Sequence, residues 1–249
     1  MRMSFIWVVL LALTGCTQSV PLSSAGGPGG FDVKASGELY KLDGPGPYPA
    51  IVVLHGCAGI TPQYHVWAQR LNRWGYVAFV IDSLGPRGYQ TVCDTLNVSP
   101  LERARDAFAA AAWLRSQPFV DPARIGVIGF SHGGSTVLKA VLKPVVRAAD
   151  ATPFQAAVAY YPGCARDFPA IASDTLIVIG DADTQASVLS CRAFVDSAKD
   201  SAHPVEIKVY PGANHLFEAI GLPRNTAYDP AAADDAFAVT RTFFDKRLK

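Results

Sequence analysis

Gly129-Phe130-Ser131-His132-Gly133 sets a serine between two glycines in the pattern G-x-S-x-G, behind the apolar run Ile125-Gly126-Val127-Ile128 and ahead of the helix-compatible stretch Ser135 to Leu142. The pattern predicts a buried strand, a sharp turn and a buried helix, with Ser131 on the turn. Such a turn lifts the hydroxyl clear of the backbone, and the glycines leave room where strand and helix approach too closely for side chains. Nucleophilic attack by the serine oxygen is the chemistry this exposure allows. A Gly-rich turn of this kind can also cradle phosphate, and a tight turn can carry an ordinary serine, so the motif needs partners.

A free hydroxyl is a weak nucleophile at neutral pH and needs a base. Of the five histidines, only His215 lies in a loop after the final expected strand, in Tyr210-Pro211-Gly212-Ala213-Asn214-His215-Leu216-Phe217. That places it after the serine, as the chain order Ser, Asp, His requires. A carboxylate must then orient the imidazole and stabilise its protonated form. Asp181 and Asp183, in Gly180-Asp181-Ala182-Asp183, both follow a strand between Ser131 and His215. The residue two positions further on can reach over the sheet edge, which favours Asp183; Asp181 would fix the loop through an Asx-turn. Two donors are needed for the oxyanion of the tetrahedral intermediate. The backbone N–H of His132 is one, and the N–H of Cys57, after His55-Gly56, is the other. The side chains of His55 and His132 are expected to pack the loops, without a metal: neither has a ligand partner at i, i+4 or a nearby carboxylate pair.

For these residues to meet, the chain must bring several loops to one edge. Ala50–Leu54, Tyr76–Ile81, Ile125–Phe130, Phe154–Tyr160, Thr175–Ile179 and Val205–Tyr210 read as strands. Helices are predicted over 62–74, from the Ser99-Pro100-Leu101-Glu102 capping box to Arg115, over 186–198 and over 231–246. Strands alternating with helices imply an α/β fold, a mostly parallel sheet with helices on both faces, whose loops at the strand carboxyl ends share one crevice. Ahead of these, Phe31–Ala35 and Glu38–Leu42 alternate across Ser36-Gly37 and suggest an edge hairpin.

The 249 residues carry a formal charge of +1, which fits one sizeable domain and gives no electrostatic case for nucleic acid. Residues 1–15, with Arg2 and the apolar run Phe5 to Leu13, read as a secretory signal too short to span a bilayer. Leu13-Thr14-Gly15-Cys16 resembles the lipobox of bacterial lipoproteins, which implies acylation of Cys16 and attachment through an N-terminal lipid. Thr17 in place of Asp implies the outer membrane, facing the periplasm. The alternative is ordinary cleavage near Ser23-Ser24-Ala25 and a free periplasmic or secreted protein. Residues 16–30, small, polar and glycine-rich, suit a flexible tether, leaving 31–249 as the folded domain. Cys57, Cys93, Cys164 and Cys191 form an even set in a chain bound for an oxidising compartment. Of the three possible pairings, Cys57–Cys93 and Cys164–Cys191 join loops at the same expected sheet edge.

From about Tyr48 to the C-terminus the chain resembles the dienelactone hydrolase family of α/β-hydrolases. The resemblance rests on Leu54-His55-Gly56, Asp82 to Gly88, Gly129 to Gly134, Gly180 to Asp183 and Gly212 to Phe217. It implies an α/β-hydrolase fold and an acid at the last residue of G-x-x-D, which is Asp183. Founding members use a cysteine nucleophile assisted by a glutamate after the first sheet strand; here these positions hold Ser131 and Gly56. They also bind a substrate carboxylate with arginines, one shortly after the histidine, where this chain has Glu218-Ala219-Ile220. Arg87 remains as a candidate anion contact, or as a loop salt bridge. The expectation is a serine hydrolase of small carboxylic esters or lactones working without a cofactor. Two alternatives stay open: a non-catalytic envelope lipoprotein that binds a ligand or partner, and a peptidase or acyltransferase with the same three residues.

Overall fold

A computed structural model describes residues 18–24, 32–95, 97–164, 170–220, 222, 225 and 227–249. Eight strands form one sheet: β1 (Gln18–Ser24), β2 (Val33–Tyr40), β3 (Tyr48–Leu54), β4 (Val77–Asp82), β5 (Val120–Phe130), β6 (Ala156–Tyr160), β7 (Asp174–Gly180) and β8 (Val205–Tyr210). They lie in the order β1-β2-β4-β3-β5-β6-β7-β8. Pairing is parallel from β4 through β8, and antiparallel where β2 meets β4 and β1. The helices are α1 (Pro62–Arg73), α2 (Pro100–Arg115), α3 (His132–Ala140), α4 (Lys143–Ala148), α5 (Val188–Ser197) and α6 (Pro230–Leu248). The expected α/β architecture is present. None of the described helices is long and apolar enough to cross a membrane.

The continuous apolar runs became the inner strands because they are covered on both faces; Ala50 to Leu54 and Val77 to Ile81 are fully buried. The glycines of β5 show which helix covers which face. A Cβ on Gly126 would stand 3.1 Å from Phe244 of α6, whereas one on Gly129, three positions on and so on the other face, would meet the Gly133 carbonyl of α3 at 2.2 Å. Trp67 of α1 edges Phe237 of α6 with ring centroids 5.2 Å apart, so α1 and α6 share one layer. On α2 the expected capping box forms: Ser99 Oγ accepts from the Glu102 N–H at 3.2 Å, and Glu102 Oε2 accepts from the Ser99 N–H at 2.8 Å.

Two expectations at the N-terminal edge are corrected. Residues 18–24, read as part of a tether, are strand β1, paired to β2 from Gln18↔Leu39 to Ser24↔Val33. Val20 and Leu22 alternate inward and are buried, and Pro21 is tolerated because β1 is the outermost strand. The hairpin expected across Ser36-Gly37 is instead the single strand β2. Gly37 marks a close approach rather than a turn, since a Cβ there would fall 2.4 Å from the Phe79 ring. The signal segment 1–15, Cys16 and residues 25–30 of the proposed tether lie outside the described residues.

Candidate active site

Ser131 sits between β5 and α3 at φ 53°, ψ −114°, a left-handed conformation that costs a non-glycine residue about 1–3 kcal/mol. Packing holds it there. The Ser131 N–H donates to the Tyr160 carbonyl at 3.0 Å. Gly133 lies so close to β3 that a Cβ would meet the Leu54 and His55 carbonyls at 2.3 and 2.5 Å. Both glycines of G-x-S-x-G are thus required by close backbone approach, as the motif predicts.

The structure brings His215 and Asp183 to this turn. The Ser131 hydroxyl lies 3.0 Å from His215 Nε2, and His215 Nδ1 lies 2.7 Å from Asp183 Oδ2. Since Asp183 can only accept, the proton sits on Nδ1 and leaves Nε2 free to accept from the serine. Burial pushes the Asp183 carboxyl up, but the His215 contact and the N–H groups of Ala186 and Gln185 outweigh it and hold it below the usual carboxylate range. Those amides donate to Oδ1 at 2.9 and 2.8 Å. Asp181 takes the other role: its Oδ1 accepts from the Gly212 N–H at 2.7 Å and ties the β7 loop to the loop carrying His215.

Cys57 and Ser131 line one cavity of about 230 Å³, beside Gly56, Thr61, Gln63 and His215. A Cβ on Gly56 would stand 3.2 Å from Tyr64 Oη and 3.8 Å from Ser131 Cβ, so this position lies beside the serine and is closely covered by Tyr64. Among the described residues, neither the Cys57 N–H nor the His132 N–H donates to a protein acceptor. The structure contains both expected disulfides, Cys57–Cys93 and Cys164–Cys191, with Cα separations of 4.8 and 5.0 Å. By chain entropy each contributes on the order of 3–4 kcal/mol. Cys57 is therefore no thiol nucleophile, and its bond braces the rim of the cavity.

His55 and His132 are both consumed in packing. His55 Nε2 accepts from the Ser83 N–H at 3.3 Å, and its Nδ1–H donates to the Gly56 carbonyl at 2.6 Å. Burial, and then the Arg103 charge, pull His55 well below its usual value, so its 3.9 Å approach to Asp82 is no ion pair. The same two causes pull His132 down to about 4. Among the described residues, no group of three His, Cys, Asp or Glu side chains is placed to hold a metal ion.

Arg87 is not brought to the site, which corrects its reading as a substrate contact. Its guanidinium grips both oxygens of Asp106 at 2.8 and 2.9 Å and donates to the Lys34 and Ser83 carbonyls at 2.6 and 2.8 Å. Asp106 is buried on α2 and needs a cation; Arg87 supplies it.

Besides Asp106, sequence reasoning missed two buried ionisable side chains near the site. Arg103, fully buried on α2, reaches toward His55 and His132. Its signal was a charge set within the stripe Ala107, Ala110, Ala111 and Leu114 that faces the core. Glu218, three residues after His215, is buried with Oε1 accepting from Tyr161 Oη at 3.1 Å and from Trp67 Nε1 at 3.4 Å, while Oε2 has no partner. The Tyr161 ring lies 4.4 Å, centroid to centroid, from the imidazole of His215. Burial drives Glu218 up to about 7 against these donors. The folded chain therefore holds a proton that the unfolded chain has released once the pH passes about 4.5, and stability falls from there to about pH 7, by ~3 kcal/mol at most. Glu218→Gln removes this loss. The gap in melting temperature in the variant's favour is expected to widen by several degrees between pH 5 and pH 8; a pH-independent gap would contradict the assignment.

The sequence and the fold resemble those of known proteins. A Synechocystis protein assigned as a carboxymethylenebutenolidase is 24% identical over 236 residues, 88% of this chain and 94% of its own. A Bradyrhizobium protein assigned as a 2-oxo-3-(5-oxofuran-2-ylidene)propanoate lactonase is 26% identical over 77% of this chain and 81% of its own. Among solved structures, a dienelactone hydrolase-like promiscuous phosphotriesterase from metagenomic libraries superposes with a TM-score of 0.73 at 22% identity, covering 94% of this chain and 99% of that one. The fold is that of the α/β-hydrolases. Residues 36–248 match the profile of the dienelactone hydrolase family, and the chain is a member of that family of hydrolases.

Proposed function

We propose that the chain hydrolyses small, neutral carboxylic esters or lactones through an acyl-enzyme on Ser131. The observation that carries this reading is the continuous line from Asp183 Oδ2 through His215 to Ser131 Oγ, with contacts of 2.7 and 3.0 Å, on a strained turn that faces a cavity. As Oγ attacks the carbonyl carbon, its proton passes to His215 Nε2, and Asp183 stabilises the imidazolium. The carbonyl π pair moves onto oxygen, where the N–H groups of Cys57 and His132 receive it. Collapse expels the alkoxide, protonated by His215; water, deprotonated by the same ring, then releases the acid.

Neutral substrates follow from the walls of the cavity. Among the described residues that line it there is no Lys or Arg, and its volume of about 230 Å³ is small for a ligand pocket. By the resemblance to the family's founding members an arginine would be expected shortly after the histidine, where this chain has Glu218-Ala219-Ile220, and Arg87 is committed to Asp106. An unpaired carboxylate would be desolvated there at a cost of several kcal/mol. Neutral p-nitrophenyl acetate or butyrate is expected to surpass the p-nitrophenyl monoester of succinate by about 100-fold or more in kcat/KM. A fluorophosphonate is expected to add one adduct, on Ser131. No adduct and no turnover would point to the inert binding protein; turnover of amides, or of acceptor alcohols over water, would point to the peptidase or acyltransferase.

We also propose that the chain is exported and carries lipid at Cys16. Strand β1 supports this over cleavage near Ala25, which would remove Val20 and Leu22 from the core. With β1 starting at Gln18, the lipid would lie two residues from the sheet edge. Cys16→Ala should be released from membranes and lack the acyl mass; an unmodified N-terminus in the wild type would sink the idea.

A further inference from the structure

The backbone donors proposed to receive the oxyanion come from turns after different strands, Cys57 beyond β3 and His132 beyond β5. Donors of this kind contribute only if they are aligned before charge develops, because realignment during the reaction would cost what they supply. Something must hold the turns in register. Backbone contact alone brings them close: the Cβ absent from Gly133 is what allows α3 to sit against the His55 carbonyl.

We propose that Arg103 is a positioning residue for the oxyanion hole, clamping the Cys57 turn to the His132 turn and placing a fixed positive charge beneath both. This rests on the acyl-enzyme reading above. Arg103 Nη2 donates to the His55 carbonyl at 2.7 Å, two residues before the Cys57 N–H, and Nη1 donates to His132 Nδ1 at 2.7 Å. A guanidinium has no acceptor, so His132 must present a lone pair at Nδ1 and is neutral. On the far side of the Cys57 turn, the Gly56 N–H donates to Tyr64 Oη at 2.7 Å. The turn is thus gripped between α1 and α2.

Arg103 is fully buried, yet among the described residues no carboxylate hydrogen-bonds to it; Asp106, its neighbour on α2, gives both oxygens to Arg87. Burial pulls the guanidinium down to about 10, which leaves it charged at neutral pH. The Asp106 charge supports it through space but is shared with Arg87, and a buried cation without a hydrogen-bonded carboxylate of its own is costly in the resting protein. The same charge becomes favourable when an anion forms nearby, and the cost falls in the ground state while the gain falls in the transition state.

The test uses the full mature protein with Arg103→Lys and Arg103→Met, assayed on p-nitrophenyl butyrate well below each variant's melting temperature. Lysine keeps the charge but has no planar fork to span the two acceptors. The expected kcat loss is about 10-fold for Arg103→Lys and about 100- to 1,000-fold for Arg103→Met, with KM changed less than about 3-fold. An aryl trifluoromethyl ketone, which forms an oxyanion on Ser131, should bind each variant more weakly by the factor lost in kcat/KM. A residue that only stabilised the fold would lower the melting temperature without moving kcat or the ketone affinity. The proposal is overturned if Arg103→Met, or Arg103→Lys should the methionine variant not fold, keeps wild-type kcat and ketone affinity. Failure of the underlying reading looks different: the wild type itself would neither turn over esters nor take up the fluorophosphonate.

Discussion

Replacing Ser131 with alanine is expected to lower kcat/KM on short aryl esters by roughly 10,000- to 1,000,000-fold, with the fold intact. The size follows from the reaction: without Oγ no acyl-enzyme forms, and the residue of catalysis is what bound water gains from a prearranged oxyanion hole. The fold survives because the hydroxyl contributes only its contact to His215 Nε2; the turn is held by the Ser131 N–H to the Tyr160 carbonyl and by the close approach of Gly133 to β3, which alanine leaves in place. Ser131→Gly separates function from strain. At φ 53° glycine loses the steric penalty, so this variant should be as inactive as alanine but more stable, by about 1 kcal/mol in chemical denaturation. A serine variant that kept even a tenth of the wild-type rate would mean that the nucleophile lies elsewhere.

What could be read before folding was whatever local chemistry dictates. Strands covered on both faces write themselves as unbroken apolar runs, and Ala50–Leu54 and Val77–Ile81 are buried throughout. Ser131 was legible because its turn demands glycines at fixed offsets, and His215 because only one histidine followed the last strand. Strand β1 was not legible, since its signal is two apolar residues, Val20 and Leu22, whose partners Gly37 and Ala35 follow only after a glycine-rich stretch. Arg87 misled because its partner is Asp106, 19 positions on and buried, which no spacing rule joins to a loop arginine. Arg103 and Glu218 were hidden for a related reason. A charged residue on a helix or loop is by default a surface residue. Arg103 becomes a clamp only because His55 and His132, 48 positions before it and 29 after, converge on one face of α2. Glu218 becomes a buried acid only because Trp67 and Tyr161, both far earlier in the chain, close over it.

The two aspartates after β7 are where sequence reasoning came nearest to a guess, and they give the second large prediction. Asp183→Asn should lower kcat by about 1,000- to 10,000-fold, whereas Asp181→Asn should change it by less than about 3-fold. In the wild type, Asp183 Oδ1 is bound by the N–H groups of Gln185 and Ala186, and Oδ2 faces His215 Nδ1. An asparagine must keep its carbonyl oxygen toward those two amides, so its NH₂ group takes the place of Oδ2. An NH₂ group cannot accept from Nδ1; it donates, and the ring proton is driven to Nε2. That nitrogen, 3.0 Å from Ser131 Oγ, can then no longer take the serine proton. The variant also lacks the charge that stabilises the imidazolium. Asp181 needs only one acceptor, for the Gly212 N–H at 2.7 Å, and asparagine retains it. Because its neighbours hold Asp183 below the usual carboxylate range, loss of activity in mild acid should not be its protonation, and the acid limb of the wild-type rate should survive in Asp181→Asn unchanged. If Asp181→Asn were the crippled variant and Asp183→Asn the active one, the direction in which His215 is oriented would have been read backwards, and the proposed line of proton transfer with it.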